Sequence, residues 1–184
     1  AAFGQVAMYQ GGLIDGVFHT DSGGMTENSE DVWGAKIPYL RAASEARRAT
    51  QPWQKEWALS VFSAKLHAKS DVGTLKRIQL SPLQIGKATI DRSVSGRVKT
   101  VALVGDRGAL RLSGNEMRNL FGLKSTLFDL RISGNRVIAT GYGYGHGLGL
   151  SQWGAKAYAE KGASAKDILV HYYRDIQIKD LYKK

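Results

Sequence analysis

Residues 141–162, GYGYGHGLGLSQWGAKAYAEKG, carry the most informative pattern of the chain. Glycine alternates with tyrosine, histidine or leucine, which allows positive φ angles and a close approach of a ligand or of another segment. Good helix formers then follow from residue 152 until Gly162, a typical residue just past a helix end. The stretch predicts a tightly turned loop leading into a helix, whose first N–H groups can bind anions or polar sugar groups.

The residues before this stretch predict a mainly antiparallel sheet. Residues 1–20 contain two short runs of alternating character joined by Gly11-Gly12, which indicates a hairpin. Residues 75–140 are short strand-like runs separated by glycine or proline, without the strand–helix alternation of a parallel sheet. The fold class is therefore predicted as α+β, with a mainly antiparallel, barrel-like core, short helices and a helical C-terminal segment.

Short signals predict further local elements, because Ser, Asn and Asp cap helix starts and glycine ends helices. The expected strands are PYLRAASE (38–45) and KATIDRSV (87–94). The expected helical segments are a turn over 28–31, a helix with Ser63 as its N-cap, a helix ending at Gly122 and a helix over 152–161. A last helix is expected to be capped by Ser164 and Asp167, with Ile168, Leu169, Tyr172 and Tyr173 on a buried stripe.

Composition limits the class of protein. The 184 residues suffice for one domain, or for a large and a small subdomain, and the absence of cysteine excludes disulfides and thiolate metal sites. No apolar run of ~18 residues is present, and the start AAFGQVAMYQ resembles the interior of a domain and not a signal peptide. The net charge of +10 suits an anionic partner such as nucleic acid, lipid or wall polymer, or a merely solubilising surface.

A second polar loop, FHTDSGGMTENSEDVWG at residues 18–34, is the other candidate for chemistry. Its dense polar residues are typical of a site on a rigid scaffold, although helix capping would explain them as well. His19 and His146 with carboxylates could hold zinc, but no HExxH-type pair exists. The glycine stretch lacks the context of a nucleotide site, and Ser22 lacks the G-x-S-x-G elbow of a nucleophile.

Three blocks together resemble one family. FHTDSGGMTENSEDVWG followed by YL is similar to the pattern FHSTSGGxTxNSEDVWG…YL, and GYGYGHGLGLSQWGA is similar to GxGxGHGxGxSQxGA. The middle segment from SGRV to LFGLKSTLF is similar to SGRV…RxxLGLxSxxF. These patterns are typical of the SpoIID/LytB domain family, and they occur in the family's order over nearly the whole chain. Residues 1–184 are thus expected to form the C-terminal majority of that domain.

The resemblance implies a bacterial cell-envelope protein, outside the cytoplasm, that acts on peptidoglycan. SpoIID-type members are lytic transglycosylases that cut glycan strands denuded of stem peptides between N-acetylmuramic acid and N-acetylglucosamine, leaving 1,6-anhydro ends. One glutamate suffices for this reaction, because the sugar's own 6-hydroxyl replaces the second carboxylate of ordinary glycosidases. The alternative within the family is a LytB-type enhancer of an N-acetylmuramoyl-L-alanine amidase, without cleavage of its own.

The chain departs from the family in its catalytic residue. The family's glutamate lies in an N-terminal block similar to P.EALKAQAVAARTY, which this sequence does not contain, and the cysteine stretch that binds zinc in some members is also missing. No catalytic residue, metal or cofactor is therefore assigned, and the chain alone is expected to be inactive. Glu27 or Glu30 replacing the missing acid is the alternative.

The matching motifs leave a substrate-binding role. The residues expected to bind sugar hydroxyl and acetamido groups are His19, Ser22, Gly23, Gly24, Glu27, Asn28, Ser29, Glu30, His146, Ser151 and Gln152. Trp33 and Trp153 could stack on sugars or belong to the core. The expected partners are glycan strands, an amidase or other wall enzymes of division or engulfment, and a separate N-terminal segment of the same protein. Nucleic acid is not an expected partner.

Overall fold

The computed structural model describes residues 4–45 and 51–182. They form two compact units: the split unit, which lies within residues 1–49 and 144–184, and the continuous unit, which lies within residues 50–143. In chain order the elements are β1 (Gln5–Tyr9), β2 (Gly12–Leu13), β3 (Phe18–His19), α1 (Ser29–Trp33), β4 (Trp53–Ala58), α2 (Leu59–Leu66), β5 (Leu75–Gln79), β6 (Thr100–Gly105), β7 (Ala109–Ser113), α3 (Gly114–Phe121), β8 (Phe128–Ser133), β9 (Arg136–Gly141), β10 (Leu150–Ser151), α4 (Gln152–Ala159), α5 (Ala165–Tyr172) and β11 (Gln177–Asp180).

The split unit contains a three-stranded sheet and a short parallel pair. Strand β1 lies between β11 and β2, antiparallel to both. Gln10 and Gly11 connect β1 to β2 with φ angles of 47° and 84°, as a two-residue hairpin requires. The predicted hairpin is present over residues 5–13, but its turn lies at Gln10-Gly11, one residue before the predicted Gly11-Gly12, because Gly12 pairs with Tyr9. Residues 1–3 lie outside the described residues. Strands β3 and β10 form the parallel pair.

Helix α5 supplies much of the core of the split unit. Tyr172 and Tyr173 are buried together with Leu40, and Ile168 and Leu169 pack against the same cluster. Residues three or four apart share one face of a helix, so the predicted buried stripe of this segment is confirmed.

The continuous unit has two antiparallel sheets, in the orders β4-β9-β8 and β5-β6-β7. In β6, Val101 and Leu103 are fully buried, while the alternate residues Thr100, Ala102 and Val104 are partly exposed. This alternation directs one face of the sheet at the core. The rings of Phe62 in α2 and Phe121 in α3 stack with centroids 4.0 Å apart, so both helices pack on the same core.

The α+β class and the antiparallel sheets are confirmed, while the sheets of residues 4–45 and 51–182 do not close into a barrel. The confirmed local predictions are the turn of helix after Asn28, the end of α3 at Gly122, helix α4 before Gly162 and the capping box of α5. No helix in the described part of the chain is long and apolar enough to cross a membrane.

Three local predictions are wrong because the residues concerned form hydrogen bonds other than the predicted ones. Residues 38–45 form no strand: Ala43 exchanges hydrogen bonds with Thr26 across a loop, and only Ser44 pairs in an isolated bridge. Residues 87–94 also stay irregular, because the buried Arg92 guanidinium donates to three carbonyls of neighbouring segments. Ser63 lies inside α2, where its hydroxyl donates to the carbonyl of Leu59 at 2.8 Å, and Ala58 is the N-cap.

Candidate functional site

The two motif loops meet along the parallel strands of the split unit. Phe18 pairs with Leu150, and His19 pairs with Ser151. Beyond the strands, Asp21 and Tyr144 exchange two backbone hydrogen bonds of 3.0 and 2.8 Å. The alternating-glycine stretch therefore runs beside the segment that starts the polar loop, although more than 120 residues separate them in sequence.

The two histidines lie side by side with ring centroids 5.5 Å apart. His19 Nδ1 lies 2.9 Å from the carbonyl oxygen of Leu148, and since a carbonyl only accepts, this nitrogen carries the proton. His146 has the other arrangement: its Nδ1 accepts from the Leu148 N–H at 3.0 Å, and its Nε2–H donates to the Phe18 carbonyl at 3.1 Å. Both nitrogens of His146 thus bind backbone and join the glycine loop to β3.

Close packing explains why glycine recurs beside these rings. A Cβ at Gly149, whose φ is +66°, would lie 1.9 Å from the carbonyl oxygen of Val17. A Cβ at Gly145 would lie 2.9 Å from the Cβ of His19. Any side chain at Gly149 would push the two strands apart, so the alternating glycines permit the parallel pairing.

The serines of the two loops support backbone turns. Ser151 is the N-cap of α4, and its Oγ accepts from the N–H groups of Gly154 and Ser22, both at 3.2 Å. Ser22 Oγ accepts from the Gly24 N–H at 2.9 Å, which closes a turn in which Gly23 and Gly24 have φ angles of 77° and 120°. Both serine side chains are buried, so the structure gives them a supporting position.

The polar run after the turn is largely buried as well. The N–H of Glu27 donates to the carbonyl of Gly147 at 2.8 Å, which attaches this run to the glycine loop. Asn28 Oδ1 accepts from a backbone N–H of the following loop at 2.9 Å, and Ser29 Oγ accepts from another at 2.7 Å. Asn28, Ser29 and Glu27 are thus brought to the site as its frame.

Glu30 forms a two-point ion pair with Arg41. Nη1 of Arg41 donates to Oε1 of Glu30 at 2.8 Å, and Nη2 binds Oε2. The hydrogen bond from the Arg41 guanidinium lowers the pKa of Glu30 from 4.5 to about 2. A carboxyl with so low a pKa is ionised at neutral pH, so Glu30 does not fit the role of a proton donor.

Gln152 is the predicted site residue that is both exposed and open to a ligand. Within the described residues its side-chain amide forms no hydrogen bond, and it lies at the edge of an apolar cleft of about 500 Å³. Phe18 and Leu13, 59% and 71% exposed, line the cleft together with Leu169 and Tyr173. This combination of an apolar wall and one amide is typical of a small-molecule site.

Trp153 follows Gln152 and is half-exposed. Its backbone N–H donates to the carbonyl of Thr20 at 3.0 Å, and the Lys156 ammonium lies 4.8 Å from its ring centroid. Trp33 is similarly exposed at the end of α1. Neither ring belongs to a buried core cluster, so both remain available to a ligand.

A carboxylate and a tyrosine that sequence reasoning did not select lie behind the site. Tyr172 donates its hydroxyl to Oε1 of Glu45 at 2.8 Å, and burial together with the charge of Glu45 raises the pKa of Tyr172. A Cβ on Gly154 would lie 2.1 Å from both of these oxygens. The pair thus packs under the first turn of α4. Neither this contact nor the exposure of Phe18 could be read from the sequence, because both depend on the tertiary structure.

Within residues 4–45 and 51–182, no group of three or more His, Asp or Glu side chains could hold a metal ion. The described residues thus contain no ready-made metal centre at His19 and His146. The chemistry that the site can perform is therefore that of its cleft, its exposed amide and its exposed rings.

Known proteins are similar to this chain over most of its length. The model of the family described as Domain of unknown function (DUF8618) matches residues 42–149. Stage II sporulation protein D of Bacillus amyloliquefaciens is 30% identical over 178 residues, which are 96% of this chain and 48% of that protein. The protein of the same name from Bacillus subtilis (strain 168) is 30% identical over an alignment of 186 positions, with the same 96% and 48% coverage.

The amidase enhancer of Bacillus subtilis (strain 168) is 31% identical over an alignment of 217 positions, which covers 92% of this chain and 30% of that protein. The chain thus spans about half the length of the two stage II sporulation proteins, and less of the amidase enhancer.

Proposed function

Because the chain belongs to the SpoIID/LytB-like family and to the DUF8618 family, we propose that it binds the glycan strands of peptidoglycan in a bacterial cell envelope, outside the cytoplasm. The names of its relatives support a role in the cell wall, in sporulation or in modifying an amidase. The observation that carries the proposal is the apolar cleft beside Gln152, which opens at the junction of the family's two motif loops.

The cleft suits a sugar chain chemically. A pyranose ring has apolar faces and polar edges, so it is bound by apolar or aromatic walls with a few placed polar groups. Phe18, Leu13 and Tyr173 supply the walls, and the amide of Gln152 can both donate to and accept from an acetamido or hydroxyl group. His146 contributes by holding β3 in place behind Phe18.

In the whole protein, the bound strand is the substrate of a lytic transglycosylase reaction. No residue of this chain matches the family's catalytic glutamate, and the ion pair with Arg41 keeps Glu30 from serving as the acid. We therefore expect the 184-residue chain to bind denuded strands and to release no 1,6-anhydro products. Mass spectrometry of strands incubated with the chain checks this, and anhydro ends would reassign the acid to a residue of this chain.

The second candidate function is enhancement of an N-acetylmuramoyl-L-alanine amidase, favoured by the similarity to the protein named amidase enhancer. In this role the chain would bind the strand beside the amidase and raise its rate on intact peptidoglycan. The two functions differ in what they change: a transglycosylase cleaves the glycan backbone, whereas an enhancer changes amidase turnover and leaves the glycan backbone intact. Amidase assays with and without the chain separate them.

The binding experiment compares variants that change the cleft with variants that do not. Replacing both Phe18 and Gln152 by alanine should weaken binding of denuded strands by about tenfold or more, since a wall and the polar group are lost together. The matched control replaces Trp33 and Gln177, an exposed aromatic residue and an exposed glutamine that do not line the cleft, and should change affinity less than about twofold. Equal losses in the two double variants would refute the cleft as the binding site.

A further inference from the structure

The positive charge of the chain is concentrated in the continuous unit. Residues 50–143 contain 15 Lys and Arg against 6 Asp and Glu, a formal charge of +9. The rest of the chain contains 11 Lys and Arg against 10 Asp and Glu, a formal charge of +1. A solubilising surface would need no such separation, so the continuous unit carries the electrostatic attraction for anionic partners.

Every carboxylate of the continuous unit forms an ion pair or accepts hydrogen bonds. Five lie within ion-pair distance of a cation: Glu56 with Arg136, Asp71 with Arg107, Asp106 with Lys76, Glu116 with Lys69, and Asp129 with Arg92. The sixth, Asp91, is buried and accepts from Thr89 and Ser81. The excess cations therefore have no carboxylate left to neutralise them within this unit.

Two of these cations share the outer face of the β5-β6-β7 sheet. Through the strand register, Arg77 lies in one row with Val104 and Ala109, and Arg111 lies in the next row with Ala102. Both arginines are exposed, and neither forms an ion pair or a hydrogen bond within the described residues. They lie on opposite sides of β6, two strand spacings (about 10 Å) apart across the sheet and one row apart along it, with Val104 and Ala102 of β6 between them and Gln79 in the row of Arg111.

The residues around this face select among anionic polymers. The large exposed hydrophobic residues of the continuous unit are Val61 and Ile90, so no exposed aromatic ring is present in its described part. Nucleobases and pyranose rings are both bound by stacking on such rings, which this face does not offer. A guanidinium matches a phosphate group with two parallel hydrogen bonds, so a phosphate chain without rings fits the face best.

We propose that the continuous unit binds a linear polyol-phosphate polymer, of the glycerol-phosphate class, across the outer face of β5-β6-β7 through Arg77 and Arg111. This interaction goes beyond the binding of glycan strands in the split unit. Such a polymer carries one negative charge per repeat and no ring, which matches a face with two unpaired guanidinium groups and mostly small side chains. The contact retains the protein on a phosphate-rich surface through ion pairs with these two arginines.

The test measures binding of a synthetic glycerol-phosphate oligomer to the whole 184-residue chain at several salt concentrations. Replacing Arg77 and Arg111 by glutamine should weaken binding about tenfold or more and lower the slope of log affinity against log salt by about one to two. The control replaces Lys65 and Arg131, also exposed in the continuous unit and removing the same charge, and should change affinity about threefold at most. Circular dichroism verifies that each variant folds.

An oligothymidylate with the same number of charges is the competing ligand. We expect it to bind more weakly than the glycerol-phosphate oligomer, because no exposed ring stacks on its bases. Equal or tighter binding of oligothymidylate would assign the face to nucleic acid and overturn the proposal. Absence of binding to the glycerol-phosphate oligomer, or equal losses in the two double variants, would overturn it as well.

Discussion

His146 uses both ring nitrogens on backbone atoms, and Ser151 uses its Oγ on two backbone N–H groups. Polar residues in a glycine-rich motif thus serve to fix the chain where two loops cross. Next to these two residues, the exposed Gln152 amide and the exposed Phe18 ring line the cleft. The exposed groups of the site are therefore neighbours of the motif's most polar residues.

The Glu30–Arg41 ion pair gives a prediction for stability against pH. The folded-state pKa of Glu30, about 2, lies below the ordinary value of 4.5, so the pair stabilises the fold fully above pH 4.5 and loses this effect between pH 4.5 and 2. Glu30→Gln should lower the free energy of unfolding at pH 7 by about 1 kcal/mol, a value limited by the 38% exposure of the Glu30 side chain.

Urea denaturation of the Glu30→Gln variant at pH 7 and at pH 2 measures this effect. The difference from the wild-type chain should shrink to a small fraction at the lower pH, where the wild-type carboxyl is about half protonated in the folded chain and fully protonated in the unfolded chain. Asp31→Asn is the matched control, because Asp31 is an exposed neighbour without an ion pair in the described residues. A difference for Glu30→Gln that is the same at both pH values would contradict the ion-pair explanation.

The element that organises the site is a parallel pair of only two residues per strand, β3 with β10. So short a pair gains little from its own hydrogen bonds, and it depends on the caps and bridges around it. Ser151 is central because it ends β10, caps α4 and accepts from the N–H of Ser22 in the facing loop. A single hydroxyl thus joins three backbone segments.

The two N-cap serines of the C-terminal helices, Ser151 and Ser164, should contribute differently to the free energy of unfolding. Ser151→Ala should lower the free energy of unfolding by about 2 kcal/mol, since it leaves buried N–H groups of Ser22 and Gly154 without their acceptor. Ser164→Ala, at the exposed capping box of α5, should cost about 1 kcal/mol. Chemical denaturation measures both, and equal costs would show that the link to Ser22 adds no stability.

Elements governed by local rules could be predicted from sequence. The hairpin over residues 5–13, the end of α3 at Gly122 and the capping box at Ser164 each depend on residues within one turn, although the hairpin turn lies one residue earlier than predicted. The irregular path of residues 87–94 could not be predicted, because the buried Arg92 donates to the carbonyls of Ser81 and Phe128 in other segments.

In the site, too, local sequence and tertiary packing determine different features. The motifs identify both loops, and the closeness of His19 and His146 follows from the pairing of these loops. The burial of Ser22 and Ser151 and the exposure of Phe18 depend on tertiary packing. Sequence patterns therefore locate the site better than they separate its frame from its binding surface. The binding roles of the selected residues stay predictions.

At the scale of the whole molecule, two units divide the chemistry of the chain. The split unit has nearly balanced charge and holds the two motif loops with the cleft. The continuous unit has most of the positive charge, a core of its own and an open sheet face with two arginines. Under the two proposals made above, this division assigns glycan recognition and retention on a phosphate polymer to different surfaces.

The binding of glycan at the cleft is tested most directly by a nuclear magnetic resonance titration of the ¹⁵N-labelled chain with a denuded glycan oligomer. Saturable shifts are predicted for the side-chain amide of Gln152, the backbone of Phe18 and the indole N–H of Trp153, while Gln177 and Trp33 stay unchanged. Shifts centred on Trp33 or on the continuous unit, or no saturable shifts at all, would contradict the assignment of the cleft as the glycan site.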